Sequence, residues 1–175
     1  VRQVGAATAS ATLAHMGYRN CFMAGPAARM AGAVIAGPCV TLQMMPKRED
    51  LFEEGEYADV EKQLHRHVLY QAEAGDIVVV DARGDMASGI FGDMMMTYFK
   101  GLKGAGVVID GCVRDLAELA ACDIGIRALA PLPLPTERAG QGQRDVVLQI
   151  RGVWVRPGDW LYADADGIVL LDRPA

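Results

Sequence analysis

Asp93 and the pair Arg114-Asp115, with twenty residues between them, combine residue types and a spacing that suit a reaction centre. Carboxylates are hard oxygen donors. A site with few of them, several waters and oxygens from a substrate suits Mg²⁺ or Mn²⁺. Asp115 is one such donor, and Asp93 is a second that either reaches a cation through water or serves as a base. Arg114 supplies a planar, permanently charged fork that matches the oxygens of an oxo acid. Gly92-Asp93-Met94-Met95 stands where a helix should begin. Free N–H groups at a helix start hold a carboxylate, and Gly92 lets that anion approach the backbone closely.

The chemistry open to these parts is specific. A 2-oxo acid chelates a cation through its carboxylate and keto oxygen, and cleaving the bond beyond C3 leaves the enolate of pyruvate. A Lewis acid stabilises such charge by several kcal/mol, and a preorganised donor contributes about 3–4 kcal/mol in other enzymes. Decarboxylation of oxaloacetate passes through the same enolate, so it is expected as a side activity. No Schiff-base lysine is needed: Lys47, Lys62, Lys100 and Lys103 all sit in polar or helix-surface contexts.

The elements that must position these residues follow from the apolar runs. Ile77–Val80 and Val107–Ile109 are fully apolar, as in buried strands, and each leads into a polar cluster. The first is Asp81-Ala-Arg83-Gly84-Asp85 and the second Asp110-Gly-Cys-Val-Arg114-Asp115. Ligands of α/β sheets bind at the carboxyl ends of adjacent strands, so neighbouring strands would bring both clusters to one crevice. Arg83 and Asp85 either extend that pocket or form a turn with a helix cap. An Arg-Asp pair after a strand is, as a pattern alone, more often a surface turn.

Elsewhere, helices are expected over Ala7–Met16, Asp59–Ala74, Gly92–Lys103 and Leu116–Ala121. Val60, Leu64, Val68 and Ala72 make the inner face of the second. Ala33–Met45, broken at Gly37-Pro38, reads as two short strands or one bent strand. Ile124–Ala130, Val146–Ile150, Val153–Val155 and Trp160–Leu171 supply further strands. Turns are expected at Pro157-Gly-Asp159 and Asp164-Ala-Asp-Gly167, and a surface loop over Thr136–Asp145. The order is βαβαβ in the middle and mostly β at the end, a mixed α/β domain. Met94, Met95 and Met96 are read as core packing, His65 and His67 as helix surface, and Cys112 as a small buried hydrophobe. Asp164 and Asp166 belong to a hairpin turn and lack the other ligands of a calcium loop.

Composition narrows the function classes. One domain over residues 1–175 is expected from length, and the opening Val1 in place of Met leads us to expect an incomplete N-terminus. A formal net charge of −5 with no basic cluster argues against nucleic-acid binding. Four unclustered cysteines argue against a zinc site and fit a reducing cytoplasm. No apolar stretch approaches the ~20 residues of a membrane span.

At these residues the sequence resembles the RraA-like family, which includes 4-hydroxy-4-methyl-2-oxoglutarate/4-carboxy-4-hydroxy-2-oxoadipate aldolases and the regulator of ribonuclease E activity. The resemblance runs from Ala7-Thr-Ala-Ser-Ala-Thr-Leu13 to Leu161-Tyr-Ala-Asp-Ala-Asp-Gly-Ile168. Its clearest parts are Gly37-Pro-Cys-Val-Thr41, Gly92-Asp-Met-Met95, Gly106–Asp115 and Val155-Arg-Pro-Gly-Asp159. It implies a layered β/β/α, swivelling-domain-like single domain with mixed sheets, assembled as a homotrimer or hexamer. It also implies a divalent metal, Mg²⁺ or Mn²⁺, held by Asp115, with substrate on Arg114 and on the backbone of Gly92, Asp93, Met94 and Met95. Asp93 would orient or deprotonate a water at the metal. The implied activity is cleavage of a 4-hydroxy-2-oxo acid to pyruvate. The ribonuclease-regulator branch tends to lack the acid after the Arg, so Asp115 favours enzyme over regulator. A regulator acting by protein binding, and another metal-dependent lyase such as a sugar-acid dehydratase, remain the alternatives.

Overall fold

Strands apolar on both faces need cover on both faces, and the computed structural model provides it. It describes residues 4–30, 33–45, 59, 63–136 and 142–171. In chain order the elements are α1 (Ala6–His15), β1 (Phe22–Met23), β2 (Ala27–Ala28), β3 (Ile35–Met44), α2 (Leu64–Gln71), β4 (Ile77–Asp81), β5 (Gly89–Phe91), α3 (Asp93–Gly101) and β6 (Gly106–Val113). There follow α4 (Leu116–Ala121), β7 (Gly125–Pro131), β8 (Gly142–Arg144), β9 (Leu148–Ile150), β10 (Val153–Val155), β11 (Trp160–Ala163) and β12 (Ile168–Leu171).

The middle of the sheet is parallel: β3, β4, β6 and β7 lie side by side. Val78 stands beside Val107 and Val80 beside Ile109, so the two apolar runs are neighbours, as the site requires. Alternate residues of these strands face opposite cores. Val78, Val80, Val107 and Ile109 pack under the helices with Val68, Leu69, Met96, Phe99 and Leu119. Ile77, Val79 and Val108 face the other way, onto Leu148, Ile150, Val153, Val155, Leu161 and Ile168. The result is the expected β/β/α layering: helices, a parallel sheet, then a second β layer, in a single mixed α/β domain.

β3 resolves the choice left open at Gly37-Pro38. It is one continuous strand, pairing with β11 through Ile35–Pro38 and with β4 through Cys39–Gln43. The switch is tight: a side chain at Gly37 would strike the carbonyl of Gly75. The Asp164 turn joins β11 to β12 as expected, and Asp164 also caps α1 by accepting the Ala6 N–H at 2.8 Å.

Several expectations need correction. The loop expected over Thr136–Asp145 contains β8, because Gly142–Arg144 pairs with the β3 edge at Leu42–Met44; residues 137–141 lie outside the described set. The helix expected over Asp59–Ala74 is shorter: Asp59 is not helical, and Ala72 is already extended (φ −69°, ψ 143°). Val60 and Lys62 lie outside the described residues, as does Lys47. The three methionines do not all pack inward: Met96 is buried, Met95 half-buried and Met94 68% exposed, since successive helical residues point about 100° apart. His65 is not on the surface; its exposure is 3%, because it shares the inner stripe of α2 with Val68 and Leu69. Cys112 is buried, as expected. No described helix is long and apolar enough to cross a membrane.

Candidate active site

β5, which the sequence did not announce, is the element that assembles the site. It runs parallel to β6, with Gly89 beside Cys112 and Phe91 beside Val113. The residues that follow each strand, Gly92 and Arg114, therefore emerge side by side at the carboxyl edge. The Arg114 N–H donates to the Phe91 carbonyl at 3.0 Å and fixes that spacing.

Asp115 has a left-handed backbone (φ 58°, ψ 44°), a conformation Asp tolerates better than most residues. The reversal starts α4 and aims the carboxylate back at α3. There Oδ2 accepts the Asp93 N–H at 3.3 Å and lies 3.4 Å from Arg114 Nε. The Arg114 and Asp115 side chains are 40% and 33% exposed, so both are anchored yet reachable.

Two glycines make this approach possible. A Cβ on Gly92 would collide with Asp115 Oδ2 and sit 2.9 Å from Arg114 Nε. One on Gly89 would come within 2.9 Å of Arg114 Cβ and 2.7 Å of the Leu134 carbonyl. Gly92 has an ordinary φ of −124°, so space rather than backbone freedom demands it. The first intrahelical bond of α3 is Met96 N–H to the Gly92 carbonyl, 3.1 Å, and the N–H groups of Met94 and Met95 precede it at the positive end of the helix.

The structure thus gathers Gly92, Asp93, Met94, Met95, Arg114 and Asp115 at one corner. Arg83 is not with them. It lines a separate cavity with Gln43, Asp81, Asp110, Gln149 and Arg151. Asp85 closes a turn: its N–H donates to the Ala82 carbonyl at 3.1 Å and its Oδ1 accepts the Ala87 N–H at 3.1 Å.

The sequence reading puts His65 on the helix surface, whereas the structure buries it behind the site. Its ring lies 6.5 Å from that of Phe91, directly behind the strand that presents Gly92. Burial, then the charges of Arg66 and Arg114, pulls its pKa down to about 4, so the imidazole is neutral at pH 7. Its spacing with Val68 and Leu69 on one helical stripe was the signal that could have found it.

The donor set can be tested against a divalent cation. Among the described residues no three His, Cys, Asp or Glu side chains come together as a closed cage. Asp115 is one carboxylate, partly open to solvent. One hard oxygen with open directions around it fits a cation that keeps most of its waters, as Mg²⁺ does.

Comparison with known proteins agrees with the layered fold. The family model for RraA-like proteins, Aldolase/RraA, matches residues 6–170. A protein of Albidiferax ferrireducens named "Putative 4-hydroxy-4-methyl-2-oxoglutarate aldolase" is 58% identical over 96 residues, 55% of this chain and 56% of that protein. The chain thus spans little more than half the length of that relative. A protein of Burkholderia mallei with the same name is 38% identical over 137 residues, 78% of this chain and 74% of that protein. The crystal structure of Streptomyces coelicolor RraAS2, described as an unusual member of the RNase ES inhibitor RraA protein family, matches with a TM-score of 0.83 at 33% identity. That match covers 98% of this chain and 82% of the other. Fold, matched length and identity converge on one conclusion: the chain belongs to the RraA-like family.

Proposed function

We propose that this protein is a divalent-metal-dependent aldolase that cleaves a 4-hydroxy-2-oxo acid to pyruvate. The observation that carries the proposal is the placing of Arg114, Asp115 and the start of α3 around the gap left by Gly92. The names of the Albidiferax and Burkholderia relatives support the same reaction class.

Asp115 holds Mg²⁺ or Mn²⁺, and the bound cation supplies Lewis-acid polarisation of the 2-oxo acid. The Met94 and Met95 N–H groups receive the substrate carboxylate at the positive end of α3. Asp93, half-buried on the first turn, takes the proton of the 4-hydroxyl, directly or through a water. The C3–C4 bond then breaks, C4 becomes a carbonyl, and the bonding electrons pass into the enolate of pyruvate. The Arg114 guanidinium stabilises the enolate oxygen until the proton taken by Asp93 is returned, directly or through water, to C3. Oxaloacetate reaches the same enolate by losing CO₂, so it is a second substrate. The exposed apolar side chains Met94, Tyr98 and Tyr70 beside the site support an interface between subunits, and the family resemblance suggests a homotrimer or hexamer.

The test is pyruvate release from 4-hydroxy-2-oxo acids and oxaloacetate by the purified protein. Release should require Mg²⁺ or Mn²⁺, stop with EDTA and return when the metal is restored. No pyruvate from any of these substrates with metal present would sink the proposal. The description of the Streptomyces neighbour favours one other reading, inhibition of a ribonuclease by protein binding. Asp115→Asn separates the two, because a binding surface survives that change and turnover does not.

A further inference from the structure

On the far side of the parallel sheet from α2 and α3, two Arg-Gly turns converge. Ala82-Arg83-Gly84-Asp85 is closed by the Asp85 N–H to the Ala82 carbonyl, 3.1 Å. Arg151-Gly152 joins β9 to β10, where Ile150 pairs with Val153. Both central residues of each turn have positive φ: 57° and 70° in the first, 49° and 80° in the second. That is the pattern of a type I′ turn, for which Asn-Gly or Asp-Gly is the usual choice. Arginine gives such a turn none of the local hydrogen bonding that Asn or Asp offers and has the same steric cost. Turn geometry therefore does not account for arginine at either position.

The two guanidinium groups border one cavity of about 450 Å³, within the size range of small-molecule pockets. Arg151 Nε donates to Asp110 Oδ1 at 2.6 Å, and its Nη2 lies 3.2 Å from where a Cβ of Gly84 would be, so one turn stacks on the other. Asp81 accepts the Arg83 N–H at 2.9 Å and the Gln43 Nε2 at 3.3 Å. Asp81 and Asp110 are 6% and 5% exposed and form a fixed floor. Arg83 and Gln149 are exposed, and among the described residues Arg83 Nη2 approaches only the thioether of Met45, at 3.6 Å. Among the described residues, and apart from Gly84, the lining consists of Gln43, Asp81, Arg83, Asp110, Gln149 and Arg151, with no aliphatic or aromatic side chain.

Two arginines suit an anionic group, and amides and carboxylates suit hydroxyls that both donate and accept. An inorganic anion uses only the first set, and an apolar acid leaves the second unpaired. We propose that this cavity is a second binding site, separate from the Arg114 corner, for a small polyhydroxylated carboxylic acid. Its carboxylate lies between Arg83 and Arg151 and its hydroxyls on Asp81, Asp110 and Gln149.

Titration calorimetry on the full chain with three six-carbon probes tests this. D-gluconate carries both features, hexanoate only the charge and sorbitol only the hydroxyls. Gluconate should bind about tenfold or more tightly than either of the others. Arg83→Ala and Gln149→Leu, at exposed positions that leave the fold intact, should each weaken gluconate by about that factor. Arg114→Ala should leave it unchanged. Equal binding of all three probes, no binding of gluconate, or loss with Arg114→Ala but not with Arg83→Ala would overturn the assignment.

Discussion

The carboxylate of Asp115 accepts the backbone N–H of Asp93 at 3.3 Å, 22 positions away in the chain. One side chain therefore fixes where α3 begins and puts a negative charge beside Arg114. The structural role and the proposed chemical role meet in the same oxygen, and substitutions can separate them.

Asp115→Asn keeps an oxygen that can accept the Asp93 N–H but removes the charge that, in the proposed reaction, holds a cation. We expect Mg²⁺-dependent pyruvate release to fall by at least about 100-fold. The melting temperature should stay close to that of the parent. Asp115→Ala should lose activity to the same extent and also about 1 kcal/mol of stability, measured by denaturant unfolding, because the cap is gone.

Gly92→Ala should disable the site without unfolding the protein. The added methyl would occupy the place of Asp115 Oδ2 and press on Arg114 Nε, whereas the backbone at φ −124° accepts alanine. Misplacing reacting groups by about 1 Å costs about 100-fold, which kcat/KM for pyruvate release would show. Gly101→Ala, where a new Cβ meets nothing within 4 Å among the described residues, is the control. It should leave kcat/KM unchanged and stabilise α3 by up to about 1 kcal/mol.

Arg114→Lys retains a positive charge and loses the fork. Lysine cannot reproduce the Nε contact to Asp115 while also pointing donors at an enolate oxygen. A fall in kcat/KM of about 100- to 1000-fold is expected. A fall of less than threefold would show that charge alone suffices.

The buried His65 ties stability to pH. Its pKa of about 4 in the fold lies below the ordinary 6.5, so between those values the unfolded chain binds a proton that the folded one does not. Its contribution is present above pH 6.5, is lost progressively as pH falls toward 4, and changes no further below that. The full loss is on the order of 3 kcal/mol. His65→Leu should flatten the decline in unfolding free energy between pH 7 and pH 4 by about that amount, as read from denaturant melts at each pH.

Much of this corner was legible because its signals are local. The apolar runs before Asp81 and Asp110 announce buried strands, and Gly92 announces a helix start; both held. What stayed hidden depends on partners distant in sequence. β5 is three residues long and is a strand only because β6 lies beside it. β8 exists because the β3 edge accepts it. Arg83 looked like a neighbour of Arg114, since both follow adjacent strands. Strand alternation sends Asp81 and Asp110 toward the second β layer, and Arg83 goes with them. His65 was misplaced by comparing it with His67 rather than with Val68 and Leu69.

The strand β3 belongs to both sheets at once, hydrogen-bonded to β11 through its first four residues and to β4 through the next five. Neither layer can peel away without tearing the ribbon that the two share. Amide protons of β4 and β11 should therefore exchange with solvent through a single concerted opening, at one common free energy. Local breathing at the Arg114 corner would then have to come from its loops and α4, with the two-layered base holding still beneath them.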